Sequence, residues 1–286
     1  MDILLAVLPA LFWGSIVLFN VKLGGSPYHQ ILGTTIGALL LSIVLYFFVR
    51  PELTGFIFLI GFLSGVFWSL GQTFQLKSVH AIGVSRTMPI STGAQLVSTS
   101  LFGVIVFGEW NTTRAVILGI LALLLIIVGA ILTSRRAKGE GNDEESRGAF
   151  RKGLIYIAIS TVGYLVYVVI ARLFGVDGWT ALFPQAVGMV AGGIILTVKY
   201  RPYDFYTIKN ILPGLIWAAG NMFLFISQPR VGVATSFSLS QMGIVISTLG
   251  GIFILGEKKS RGQLISISIG IVLIVLAGFL LGYTKS

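Results

Sequence analysis

Ten stretches of this sequence contain no Asp, Glu, Lys or Arg, and each is about 19–26 residues long: 3–21, 30–49, 53–76, 87–108, 115–134, 153–171, 178–198, 210–229, 231–256 and 262–284. About 20 helical residues rise about 30 Å, the thickness of the hydrocarbon core of a bilayer. In lipid the backbone must satisfy its own hydrogen bonds, which admits helices or closed barrels. Barrel strands alternate polar and apolar residues, and the run Leu121-Ala122-Leu123-Leu124-Leu125-Ile126-Ile127-Val128 does not. The windows therefore predict an all-α integral membrane protein with ten transmembrane helices. The first window is not expected to be a cleaved leader. Only Met1 and Asp2 precede it, and no small-residue cleavage site follows its long apolar run.

Composition agrees. Hydrophobic residues make up 55% and charged residues 10%, against roughly 25% charged in a soluble domain. That excludes a water-soluble enzyme and, equally, a disordered chain. The formal net charge is +10, but the basic residues punctuate apolar blocks instead of forming a stripe. They read as orientation signals and give no reason to expect nucleic acid. There is no Cys, and His29 and His80 are the only His. No metal site and no cofactor are expected.

One long polar stretch, 135–152, divides the chain into a first unit at 1–134 and a second at 153–286, and it reads as a solvated linker. Its six Lys/Arg predict that it is cytoplasmic. Alternating the windows from there puts 15 Lys/Arg inside and five outside, with both termini outside.

The two units align with each other. At an offset of 151, Arg50-Pro51 falls on Arg201-Pro202 and Gly37 on Gly188. At 149, Trp68 falls on Trp217, Gly71 on Gly220, Gln72 on Asn221 and Gly83 on Gly232. At 148, Gly108-Glu109 falls on Gly256-Glu257. Matches kept in order identify a duplication. Five helices per copy force the second copy to insert upside down, the 5+5 inverted repeat of many secondary transporters, whose substrate site lies midway across the membrane where the copies meet.

Polar residues on the windows supply a candidate site. Thr87, Ser91, Ala94 and Ser98 share one helical face, repeated at Ser236, Ser240, Gly243 and Ser247. Small residues of this kind also let helices pack closely. Gln95 and Gln241 lie in the same stretches, and a long amide in lipid needs a partner. Trp68, Gln72 and Gln75 fall at i, i+4, i+7; Trp217 and Asn221 repeat the pattern; Trp13 with Asn20, and Tyr164 with Tyr167, add to it. Amides that both donate and accept, beside aromatic rings, suit the hydroxyls and C–H face of a neutral sugar. Trp110 and Trp179 sit at window edges and read as interfacial belt residues. No Asp or Glu lies deep in a window, which disfavours a cationic substrate. Arg86, Glu109, Glu257 and His80 stand at window ends as candidates for coupling or gating, or for plain structural roles, with Pro89 able to kink its helix.

The five-plus-five plan, with Gly108-Glu109 and Gly256-Glu257 before the last helix of each half, resembles the drug/metabolite transporter superfamily. Leu8-Pro9-Ala10-Leu11-Phe12-Trp13-Gly14-Ser15, Gly83-Val84-Ser85-Arg86-Thr87-Met88-Pro89 with Ser91-Thr92-Gly93, and Gly232-Val233-Ala234-Thr235-Ser236-Phe237-Ser238-Leu239-Ser240-Gln241 are similar to the bacterial glucose uptake proteins of its glucose/ribose porter family. The resemblance spans the chain apart from the linker and implies sugar import at the plasma membrane by proton symport, with a monosaccharide, the proton and the bilayer as partners. It assigns no binding residue. The candidate substrate-binding set, taken from helical faces alone, is Trp13, Trp68, Gln72, Gln75, Ser91, Gln95, Tyr164, Trp217, Asn221, Ser240 and Gln241. The competing readings are an uncoupled uniporter or exporter of another neutral metabolite, an integral-membrane enzyme, and a sensor or assembly subunit that does not transport. The sequence leaves the oligomeric state open.

Overall fold

The computed structural model describes residues 2–133, 144–231, 236 and 239–284. Its helices are α1 (Asp2–Leu23), α2 (Pro27–Val49), α3 (Gly55–Ile82), α4 (Val84–Phe107), α5 (Thr113–Thr133), α6 (Glu144–Leu173), α7 (Gly178–Thr197), a short α8 (Phe205–Lys209), α9 (Ile211–Val231), α10 (Gly243–Phe253) and α11 (Arg261–Tyr283), with one 3₁₀ turn at Val198–Tyr200. Nine membrane-length apolar spans lie among the described residues, one of them running through α8 and α9. The tenth window, in chain order the ninth, appears as the shorter α10, and residues 232–235 within it lie outside the described residues, as do 135–143 of the expected linker. The remainder of that linker is helical: α6 starts at Glu144, nine residues before the charge-free window.

The surface is the inverse of a soluble protein's. Phe48, Ile105 and Phe253 are more than 70% exposed, while Asn20, Gln30, Thr34, Ser64, Ser69 and Ser91 are buried. Apolar side chains outside and hydrogen-bonded polar ones inside are what lipid as a solvent selects. The chain is an all-α, multi-pass integral membrane protein.

Helix ends are fixed locally. Thr54 caps α3 by accepting from Ile57 N at 3.2 Å, and Asp177 caps α7 by accepting from Trp179 N and Thr180 N. Ser260 and Gln263 form a reciprocal capping box on α11. Arg50 and Arg201, matched at an offset of 151, both turn through left-handed backbone with φ 49° and 47°.

Several helix contacts of residues 1–134 recur when the corresponding helices of 153–286 are exchanged for them. α3 packs on α6 and α1 on α9; α3 packs on α7 and α2 on α9; α4 packs on α6 and α1 on α10. α2 with α7, α4 with α10 and α5 with α11 are self-related pairs. Individual atoms follow the same rule. A Cβ on Gly65 would strike Gln185 O and Met189 N, and a Cβ on Gly214 would strike Thr34 O and Ala38 N. Gly188 faces Phe62 O as Gly37 faces Ile211 O. Ser78 bonds Thr87 at 3.1 Å, and Ser227 bonds Ser236 at 3.0 Å. The offsets linking these partners are those of the sequence alignment. Glycine is required at each such crossing because the helices touch backbone to backbone.

Candidate functional site

Trp68 lies midway along α3 and Trp217 midway along the α8–α9 span, and their rings meet edge to face at 5.3 Å. They are equivalent residues of the two halves. Tyr164 of α6 packs on Gly71, and its equivalent, Trp13 of α1, packs on Gly220. These four aromatics form two related pairs at the junction. Trp13 Nε1 donates to Trp217 O at 3.2 Å, and Trp68 meets Tyr164 at 6.5 Å. Glycine at 71 and 220 leaves room for each ring.

Polar groups gather on one side of this quartet. The Tyr164 hydroxyl donates to Gln72 Oε1 and lies 3.2 Å from Gln75 Oε1. Gln75 Nε2 donates to Ser91 Oγ at 2.8 Å, and Gln95 Nε2 donates to the same oxygen at 3.1 Å. A chain of five side chains thus ties α3, α4 and α6 together. All but Gln95 are more than 90% buried. Amides and hydroxyls can each reverse a donor or acceptor role, so this network can trade internal bonds for bonds to a polyhydroxylated guest.

Among the described residues the other side is sparser. Asn221, equivalent to Gln72, donates to Trp217 O at 2.9 Å within its own helix. Leu224 stands where Gln75 would be and Ile244 where Gln95 would be. Ser240 and Gln241 bond to one another at 3.3 Å, and the Gln241 side chain lies beside Gly278 of α11. The structure therefore unites Trp13, Trp68, Tyr164 and Trp217 with Gln72, Gln75, Ser91 and Gln95, and places Gln241 towards α11.

The four candidate gating residues occupy helix ends. Arg86 is half-buried in the first turn of α4. His80, which lies between windows 53–76 and 87–108, belongs to the last turn of α3, where Nε2 lies 3.3 Å from Gln30 Oε1. Glu109 pairs with Arg172 at 2.5 Å. Glu257 accepts from Val84 N at 2.5 Å, from Ser85 N and from the Ser85 hydroxyl. Trp179 meets Phe225 at 5.3 Å, and Trp110 packs over Gly119, so both window-edge tryptophans have protein neighbours. Among the described residues no three His, Asp or Glu side chains are grouped to hold a metal ion.

Sequence faces missed Ser64 and Gln185. Gln185 Nε2 donates to Ser64 Oγ at 2.9 Å, and Ser64 donates to Tyr167 O at 2.8 Å, which extends the polar seam along α3, α6 and α7. Ser64 is four residues before Trp68 on the same face, so the periodicity already chosen contained it.

Comparison with known proteins follows this geometry. Residues 4–284 match the model of the family described as sugar transport protein. The chain is 68% identical over 286 residues to a probable glucose uptake protein GlcU of Priestia megaterium, covering all of both chains. It is also 68% identical to the glucose uptake protein GlcU of Bacillus subtilis (strain 168), covering all of this chain and 99% of the other. A putative sugar uptake protein of Bacillus cereus (strain ATCC 10987 / NRS 248) is 55% identical over the whole length of both. A crystal structure of another protein superposes on 98% of this chain and 95% of its own with TM-score 0.63 at 18% identity, a likeness of fold. The chain belongs to the sugar transport protein family.

Proposed function

We propose that this chain is a transporter, not an enzyme, and that it carries a neutral monosaccharide, glucose, into the cell across the plasma membrane. The observation that carries this reading is the junction itself: an aromatic quartet backed by Gln72, Tyr164, Gln75, Ser91 and Gln95, halfway across the spans. The sugar's C–H face lies on Trp68 and Trp217, and its hydroxyls replace the amide and hydroxyl bonds that the network makes internally. Asn221 completes the site from the other half. Ser240 and Gln241 contribute from the stretch before α10. The full-length relatives named as glucose uptake proteins support the choice of sugar.

In this reading residues 1–134 and 153–286 are two inverted repeats joined by a cytoplasmic linker at 135–152, with both termini outside. The repeats exchange conformations, so the site opens to one face and then the other. Proton symport supplies the driving force. A membrane potential contributes about 2.3 kcal/mol per charge per 100 mV to such uptake.

An uncoupled uniporter is the second reading, and one observation favours it. The described carboxylates, Asp2, Glu52, Glu109, Glu145, Asp177, Asp204 and Glu257, all stand at helix ends or in connections, away from the central network. The test is labelled glucose uptake into proteoliposomes holding the purified protein, with and without an acid exterior. Accumulation above the outside concentration, abolished by a protonophore, establishes symport. Equilibration at the same rate in both conditions establishes the uniporter, and no entry of label refutes sugar transport.

A further inference from the structure

Glu257 stands in the connection between α10 and α11, behind Gly256, whose backbone is left-handed with φ 73°. Its N–H donates to Gly251 O at 3.1 Å, which fixes the residue at that end of α10. Its carboxylate crosses to the other half of the molecule and lands on the first turn of α4. There it accepts from Val84 N at 2.5 Å and Ser85 N at 3.2 Å, and from the Ser85 hydroxyl. α4 has no side-chain cap of its own. The first N–H groups of a helix need acceptors, and an anion there is favoured by the helix dipole. Gly83 precedes this turn with φ 85°, and a Cβ on it would lie 3.0 Å from the carboxylate. Lys259 Nζ lies 3.8 Å away with its side chain 6% exposed, and supplies the balancing charge.

Glu109 is the equivalent residue. Its N–H donates to Gly103 O at 3.2 Å, and Gly108 before it has φ 62°. Its carboxylate pairs with Arg172 at the end of α6. The sequence also separates the two halves: Ala234 stands where Ser85 would be, so the hydroxyl donor to Glu257 has no counterpart. Successive spans joined by short connections place these two carboxylates at opposite ends of the bundle.

We propose that Glu257 is the latch that holds the α4 end of the bundle shut, and that Glu109 is the corresponding latch at the opposite end. This rests on the alternating-access reading above. α4 is a suitable moving part. It carries Ser91 and Gln95 of the central network, and Pro89 lies between them and the latch. Proline removes one helical hydrogen bond, so the segment 84–88 can pivot there when the carboxylate lets go. Pivoting separates Thr87 from Ser78 and opens the polar seam from that end. Glu257 is thus a positioning residue that acts through α4, not a sugar ligand.

The absence of Cys in the chain makes the test direct. Ser78→Cys reports one end of the bundle and Ser227→Cys the other; both serines are buried and equivalent. Each reporter is placed in protein reconstituted in nanodiscs and reacted with a polar maleimide, with and without glucose. Glu257→Gln is expected to raise the Ser78→Cys rate about tenfold, the shift produced by losing one charge-assisted bond, and to lower the Ser227→Cys rate. Glu109→Gln is expected to do the reverse. Glu257→Asp restores the original rates in part. Ser85→Ala, which removes only the hydroxyl donor, gives a smaller shift in the same direction as Glu257→Gln and serves if that variant does not fold. Unchanged rates in Glu257→Gln, or a parallel rise at both reporters, overturn the latch while alternating access stands. If neither reporter responds to glucose in reconstituted protein that transports it, alternating access falls and the latch with it.

Discussion

Tyr164 donates its hydroxyl to Gln72 and lies within reach of Gln75, although 92 and 89 residues separate them from it. This contact crosses from one half of the chain to the other and joins the aromatic quartet to the amides. It is where a ring, two amides and a shared hydroxyl meet in the buried centre of the bundle.

Removing that hydroxyl isolates its role. Tyr164→Phe keeps the ring against Gly71 and Trp68 but leaves Gln72 and Gln75 without their common donor. A buried hydrogen-bonded group is worth about 1–3 kcal/mol when its partner is left unsatisfied. Glucose uptake is expected to fall about tenfold or more and thermal stability to drop by about that cost, with membrane expression retained. Initial-rate uptake alongside fluorescence-detected gel filtration checks both.

Gln72→Ala and Asn221→Ala truncate equivalent amides in unequal surroundings. Both are expected to abolish uptake while the protein still reaches the membrane. Because Gln72 belongs to the five-residue network and Asn221, among the described residues, bonds within its own helix, Gln72→Ala should also lower the unfolding temperature more. Wild-type transport by both variants removes these amides from the site.

The glycine crossings predict paired effects on stability. Gly65→Ala and Gly214→Ala each drive a methyl group into facing backbone, as do Gly37→Ala and Gly188→Ala. Overpacking of this kind costs about 1–3 kcal/mol or more. Members of a pair should lose similar amounts of thermal stability in detergent, while Gly148→Ala, which meets open space, should lose little. Unequal losses within both pairs contradict the equivalence of the halves.

Legibility from sequence followed the physics of each feature. Windows 30–49 and 115–134 lie within about three residues of α2 and α5 because lipid excludes charge from the whole of such a span. Window 53–76 fell short of the end of α3 because Lys77 does not stop the helix. Its ammonium lies 4.6 Å from the Phe74 ring centre and 5.1 Å from that of Tyr28, so the charge is held at the bundle edge. The first turns of α6 are rich in charge, and charge alone was a poor guide to where that helix begins. Periodicity found Trp68, Gln72 and Gln75 on one face but could not show that Tyr164 closes it, since tertiary pairing between distant helices leaves no local spacing. The same offset of 149 that aligned Trp68 with Trp217 also pairs Gly65 with Gly214 and Ser78 with Ser227, equivalences readable in the sequence that only the packing made meaningful.

The aromatic platform has its own signature. Trp217→Ala removes a ring that meets Trp68 and leaves in place the backbone carbonyl that accepts from Trp13. Trp217→Phe retains most of the apolar face. Uptake is expected to be lost in the first and only reduced in the second, since an aromatic pair contributes about 0.5–1.5 kcal/mol beyond its buried area. Equal loss in both would mean that the indole, not an aromatic surface, is what the substrate requires.

Equilibrium binding of labelled glucose to the purified protein tests the central claim most directly. The parent should bind saturably, with competition by unlabelled glucose, and Gln72→Ala, Gln75→Ala and Tyr164→Phe, each shown to be folded, should lose most of that binding. Undiminished binding in all three would place the sugar away from the junction between the two halves.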